Sequence, residues 1–177
     1  MGLEGDHIGN LDVHGGEGRA VYAFSKSSYE LWKGKIKEEL LGINGLFGEN
    51  LTMDHIEEEP IRVGDEFEVG EVLLQATSPR FPCFIFADRV GYDQAQDYMN
   101  ETRRSGVLFR VLKTGHVKIG DTMRKVKASP YDLKLADFLI MGNAKNITRE
   151  KMDFLRTIPV IPKITIDRLE YRLIHGR

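Results

Sequence analysis

Apolar and polar positions change period several times along the chain, and each change marks an element. Residues 19–24, Arg-Ala-Val-Tyr-Ala-Phe, read as a short strand that follows a glycine-rich loop. Ser27 or Ser28 then caps a predicted helix in which Tyr29, Trp32, Ile36 and Leu40 share one face at spacings of three and four, and Gly42 ends it. That stripe is read as core. Beyond residue 51 the period shortens, predicting strands at 61–63, 66–69 and 72–77, and again at 107–112 and 116–119. Short helices are expected at 83–89 and 93–102. The segment Arg62-Val-Gly-Asp-Glu-Phe is echoed by Lys118-Ile-Gly-Asp-Thr-Met, and since Gly-Asp suits turns the echo is read as architecture.

After residue 126 the helical period takes over. Ser129-Pro130 reads as a helix start leading to Leu135, Ala136, Leu139 and Ile140, closed by Gly142. Thr148 caps a second helix bearing Met152 and Leu155, stopped by Pro159, and a third carries Ile166, Leu169 and Leu173 to Gly176. The fold class is therefore mainly β with helices (α+β): a β-rich body over 1–126 and a three-helix C-terminal extension over 127–177. So short a helical unit buries little surface alone, and must pack on the body or on another subunit.

Composition narrows the function classes. The 177 residues carry 25 basic and 27 acidic side chains, a net charge of −2, which argues against a nucleic-acid footprint. No apolar run is long enough to span a bilayer, and the first residues lack the charged and apolar regions of a signal peptide, so a cytoplasmic location is expected. One cysteine cannot close an internal disulfide. Phosphate-binding glycine fingerprints, a nucleophile elbow and zinc-type histidine spacing are missing from the sequence.

Three segments carry chemistry. In Ser78-Pro-Arg-Phe-Pro-Cys83-Phe, two prolines stiffen the backbone that presents the thiol. A helix starting near Cys83 favours its thiolate, and Arg80 adds positive charge. Phe81 and Phe84 act the other way, and an inert buried thiol is the alternative. His14-Gly15-Gly16, with Arg19 behind it, can turn backbone N–H groups toward an anion, or be a loop with an incidental histidine. Gly48-Glu49-Asn50 sets a carboxylate and an amide at a loop-to-strand junction, where capping of local backbone is the commoner use.

Taken in order, Gly2-Leu-Glu-Gly-Asp6, His14-Gly-Gly16, Gly48-Glu-Asn-Leu51, Ser78-Pro-Arg-Phe-Pro-Cys83 and Gly120-Asp121 resemble the motifs of MOSC proteins (molybdenum cofactor sulfurase C-terminal domain). The helical tail is similar to that of the bacterial hydroxylaminopurine-resistance type. The resemblance implies a β-barrel binding the molybdenum cofactor, with Cys83 as metal ligand or carrier of the metal's sulfur. It implies cofactor contacts from His14, Gly15, Gly16, Arg19, Glu49, Asn50 and Arg80. The implied activity is reduction of N-hydroxylated small molecules to amines, with electrons from a separate reductase protein. The alternative is a sulfur or cofactor carrier using a persulfide on Cys83. The family also carries strands ahead of the Gly2-Leu-Glu-Gly-Asp6 motif, so the expectation is either a barrel lacking its first strands or a piece of a longer chain. The tail and short N-terminus are compatible with a homodimer.

Overall fold

The computed structural model describes residues 2–6, 15–54 and 60–176. Six strands form one curled sheet, a half-barrel, in the order β2-β1-β5-β4-β3-β6. The strands are β1 (Val21–Ser25), β2 (Leu51–Met53), β3 (Glu66–Val69), β4 (Val72–Pro79), β5 (Val107–Lys113) and β6 (Arg124–Lys127). All pairs are antiparallel except β1 with β2, where Ala23 lies opposite Leu51. Helices α1 (Lys26–Tyr29), α2 (Glu38–Leu41), α3 (Phe84–Val90) and α4 (Ala95–Thr102) interrupt the strands, and α5 (Leu135–Met141), α6 (Arg149–Arg156) and α7 (Lys163–His175) follow them.

Successive side chains of a strand point to opposite faces of a sheet. In β1, Val21 and Ala23 therefore enter one core while Tyr22 and Phe24 enter another. In β5, Val107 and Phe109 join the first core and Leu108 packs against the second. The first core is completed by the C-terminal helices through Leu135, Phe138, Met152, Leu155 and Leu169. The second is aromatic, with Phe47 ringed by Phe24, Tyr29, Trp32 and Phe86 at centroid distances of 4.6–5.6 Å. The C-terminal extension thus shares the sheet's own core.

Several sequence expectations need correction. The single helix expected up to Gly42 breaks into α1, a 3-10 turn at Glu30–Trp32 and α2, because Gly34 takes a left-handed φ of 71°. Its stripe is nevertheless core, since Tyr29, Trp32 and Ile36 are buried. Residues 61–63 make only an isolated bridge, Arg62 to Lys134. Residues 116–119 are loop, and the strand lies later, at β6, whose residues are all exposed. Ser129 does not cap a helix: its hydroxyl donates to the Val63 carbonyl at 2.5 Å and accepts from the Tyr131 N–H, and α5 starts six residues on.

The internal echo is one turn used twice. Asp65 accepts from the backbone N–H of Arg62, and Asp121 from that of Lys118, each at 2.9 Å. Asp65, fully buried, also accepts from the Ser129 N–H at 2.8 Å and pairs with Lys125 at 3.2 Å. One carboxylate thereby ties the entry of β3 to the start of the C-terminal extension. Replacing Asp65 by alanine strands two backbone donors and one cation, and is expected to cost about 2–5 kcal/mol in urea unfolding, against no more than ~0.5 kcal/mol if the contacts are dispensable.

Candidate functional site

The bend that follows β4 carries Cys83, and each flanking residue fixes it from a different side. Pro82 is buried, Cys83 is half-buried, and Phe84 and Ile85 are exposed at the first turn of α3. Cys83 occupies the N-cap position of α3 with extended φ and ψ, and its carbonyl accepts from the Phe86 N–H at 3.1 Å. The helix therefore starts just after the thiol, as expected.

Phe81, two residues earlier, turns the opposite way. Its ring meets Phe138 of α5 edge-on at 5.6 Å and lies 5.2 Å beneath the Arg172 guanidinium of α7. Gly142 closes the third side, where an added Cβ would come within 2.5 Å of the ring. Arg172 also donates to the Gly142 carbonyl at 3.0 Å. Phe81 thus belongs to the first core and Cys83 packs against the second, so the bend is the seam between them.

Arg80 stacks over Phe86 at 4.8 Å and Tyr22 at 5.5 Å, on the aromatic side of the seam. The cation whose charge meets Cys83 is Arg168 of α7, a residue that the sequence pattern did not single out. Burial lowers the Arg168 guanidinium from its ordinary range, and the charge of Cys83 opposes that fall. Arg19 is pushed down to about 10 by burial and then by the like charge of Arg168. Arg172 is lowered by the same two causes. Arg168 therefore carries a like charge felt by both Arg19 and Arg172, and it is the one of the three that meets the charge of Cys83.

The glycine-rich turn is partly in place. Gly15 and Gly16 take successive left-handed φ values of 75° and 87°, and Arg19 folds back on them, its side chain donating to the Gly15 carbonyl at 3.2 Å. A cleft of about 340 Å³ opens beside the turn, lined by Gly15, Gly16, Gly18, Arg110, Pro162 and Ile164. His14 lies outside the described residues.

Glu49 and Asn50 are committed to the protein itself. The buried Glu49 carboxylate accepts from the Tyr29 hydroxyl, from the N–H groups of Gly45 and Phe47 at 3.1 Å, and from Thr52 at 2.8 Å. Asn50 accepts from the Tyr22 N–H at 2.8 Å and donates to Asp6 at 2.7 Å, joining β1 to the Gly2-Leu-Glu-Gly-Asp6 segment. Capping of local backbone accounts for the bonds from Gly45 and Phe47, while the others tie Glu49 and Asn50 to Tyr29, Thr52, Tyr22 and Asp6.

A family model for the MOSC domain matches residues 10–124. YflK of Bacillus subtilis is 31% identical over 148 residues, which are 82% of this chain and 66% of that protein. YiiM of Escherichia coli is 34% identical over 118 residues, 66% of this chain and 53% of that one. A protein of Gibberella moniliformis named Reductase is 36% identical over 113 residues, 62% of this chain and 20% of its own length. The chain thus spans from one fifth to just under two thirds of these relatives. Among solved structures, YiiM from Geobacillus stearothermophilus superposes with a TM-score of 0.74 at 25% identity, covering 89% of this chain and 80% of that one. Escherichia coli YiiM gives 0.79 at 24% identity, over 99% and 83%, a likeness of fold.

The Glu49 cluster generates a pH prediction. Burial first, and then the bond to Glu49, hold the Tyr29 phenol well above its ordinary value of about 10. Stability from this shift is present below that pH and is lost as pH rises toward the folded value. Between pH 9 and about 11, thermal unfolding of the parent should fall more steeply than that of Tyr29→Phe, which has no proton to lose. Parallel curves would show that Tyr29 is not shifted.

Proposed function

Because the chain belongs to the MOSC domain family, we propose that it binds a molybdenum cofactor beside Cys83 and reduces N-hydroxylated compounds of the hydroxylaminopurine type to amines. The observation that carries this reading is the placement of the thiol: half-buried, at the N-cap of α3, and met by the charge of Arg168. A thiolate is a soft donor suited to a transition metal. The guanidinium groups and the Gly15-Gly16 turn suit the anionic groups of a pterin cofactor. Ser78 Oγ and Arg80 Nη1 are buried without a hydrogen-bond partner among the described residues, as polar atoms awaiting a bound group would be.

In this reading Cys83 holds the metal, and Gly15, Gly16 and Arg19 hold the anionic part of the cofactor, with His14 beside them in sequence. Glu49 and Asn50 act at one remove, by fixing the loop that supports Phe47 and the strand that carries Tyr22. Phe84 and Ile85, exposed beside the thiol, offer an apolar surface to a flat base. When bound, the cofactor supplies the oxygen-atom chemistry, in which an N–OH group, two electrons and two protons give N–H and water. In this reading the electrons come from a separate reductase protein. The relative named Reductase supports the oxidoreductase class, through a likeness covering 20% of its length.

Protein purified from a host that makes the cofactor should contain molybdenum and a fluorescent pterin, and reduce an N-hydroxylated base when given an electron donor. Cys83→Ser should keep the parent's thermal midpoint and lose more than about a hundredfold in reduction rate. A cofactor-loaded serine variant with full activity would exclude the ligand role. Sulfane sulfur on Cys83 without molybdenum would mark the protein as a sulfur carrier instead.

A further inference from the structure

We propose that Asn44-Gly45 is a self-modifying site, where the Asn44 side chain closes on the Gly45 backbone nitrogen and loses ammonia, promoted by Lys26 and Glu49. Of the six asparagines in the sequence, only Asn44 precedes a glycine. Asn44 is exposed to water, in the loop between α2 and β2. Gly45 has no Cβ to crowd its nitrogen and takes a left-handed φ of 76°. The Asn44 side-chain carbonyl accepts from the Lys26 ammonium at 3.0 Å, and the Gly45 N–H donates to the Glu49 carboxylate at 3.1 Å. Lys26 is seated over the Tyr29 ring, 4.7 Å from its centroid, and the Tyr29 hydroxyl donates to Glu49. The electrophile thus touches a cation, the nucleophile touches a carboxylate, and Tyr29 holds both helpers. The Gly45 carbonyl is fixed in turn by the Gly48 N–H at 2.9 Å and by Arg89 at 3.2 Å.

A cation in hydrogen-bond reach of an oxygen stabilises the negative charge that builds there, and a carboxylate in reach of a proton can accept it. In the first step the Gly45 nitrogen forms a bond to Cγ of Asn44, and its proton passes to Glu49. The Cγ–Nδ2 bond then breaks and the leaving nitrogen takes a proton back, so ammonia departs and a cyclic imide remains. Water opens the imide at either carbonyl, giving aspartate, or isoaspartate in which the main chain runs through the former side chain. Nothing is oxidised or reduced, and water is the only co-reactant. Aspartate at this position gives Lys26 an ion-pair partner in place of a neutral amide. Isoaspartate lengthens the main chain just ahead of the turn Gly45 to Gly48, which carries Phe47, the ring at the centre of the second core. The site does not rest on the proposed function.

The test is incubation of the full chain at neutral pH, folded and in urea, with peptide mapping of asparagine, aspartate and isoaspartate at position 44. Asn44 should convert roughly tenfold or more faster in the folded chain than in urea, where Lys26 and Glu49 are no longer held beside it. Among the described residues Lys26 contacts only Asn44 and the Tyr29 ring, so Lys26→Met leaves the fold intact. That variant should convert about tenfold more slowly when folded and at the parent's rate in urea. Lys26→Arg should recover part of the loss. Conversion no faster in the folded chain than in urea overturns the proposal, as does an unchanged folded rate in Lys26→Met. Glu49→Gln is expected to slow conversion as well, and faster conversion there would show that the hydrogen bond shields the Gly45 nitrogen, which also overturns it. Because Glu49 caps the loop, the Lys26 variants carry the test by themselves if Glu49→Gln does not fold.

Discussion

The position of the thiol depends on where one ring is held. Phe81 is fixed between Phe138, Gly142 and Arg172, contacts that come from α5, the residue that ends it, and α7. The backbone between Phe81 and Cys83 contains a single residue, Pro82, whose φ is locked. Fixing the ring therefore fixes the sulfur to within the freedom of a very short, stiff tether. The helices that follow the sheet thus set the geometry of a residue presented at the end of a strand.

That constraint explains why the bend lies on the seam between two cores. The period-two alternation of β1 and β5 sends side chains to opposite faces of the sheet, and each face is sealed by different helices. A segment passing from one face to the other must expose part of its backbone. Here that exposed part is the start of α3, whose N-cap residue is Cys83. Charge is added from outside the bend by Arg168 on the last helix, whose like charge is felt by Arg19, the residue tied to the glycine turn. The site is assembled from three distant stretches of sequence, and the sheet brings them together.

Much of this was legible in the sequence where the signal was local. Cys83 between proline and a helix start, Thr148 as a cap accepting from Lys151, and the repeated Gly-Asp turn are all set by residues within a few positions of one another. β6 was not legible, because Arg-Lys-Val-Lys is exposed throughout and owes its strand conformation to pairing with β3. The break in the first helix was hidden by an apolar stripe that survives the break, since tertiary packing buries Trp32 and Ile36 whatever the backbone between them does. Arg168 and Arg172 look like any solvated helical cations until the fold shows which face of α7 meets the bend. Glu49 and Asn50 show the reverse: polar residues at a junction suggest ligand contacts, and their bonds turn out to be internal.

The most direct test is amide hydrogen exchange across residues 80–90 in Phe138→Leu, which removes the ring that meets Phe81 while keeping an apolar side chain. If the C-terminal helices hold the thiol in place, exchange should rise in 80–90 together with α5, while the aromatic core around Phe47 keeps its protection. Unchanged protection of 80–90 in a variant whose α5 has loosened would show that the bend is held by the sheet alone, and would contradict the account.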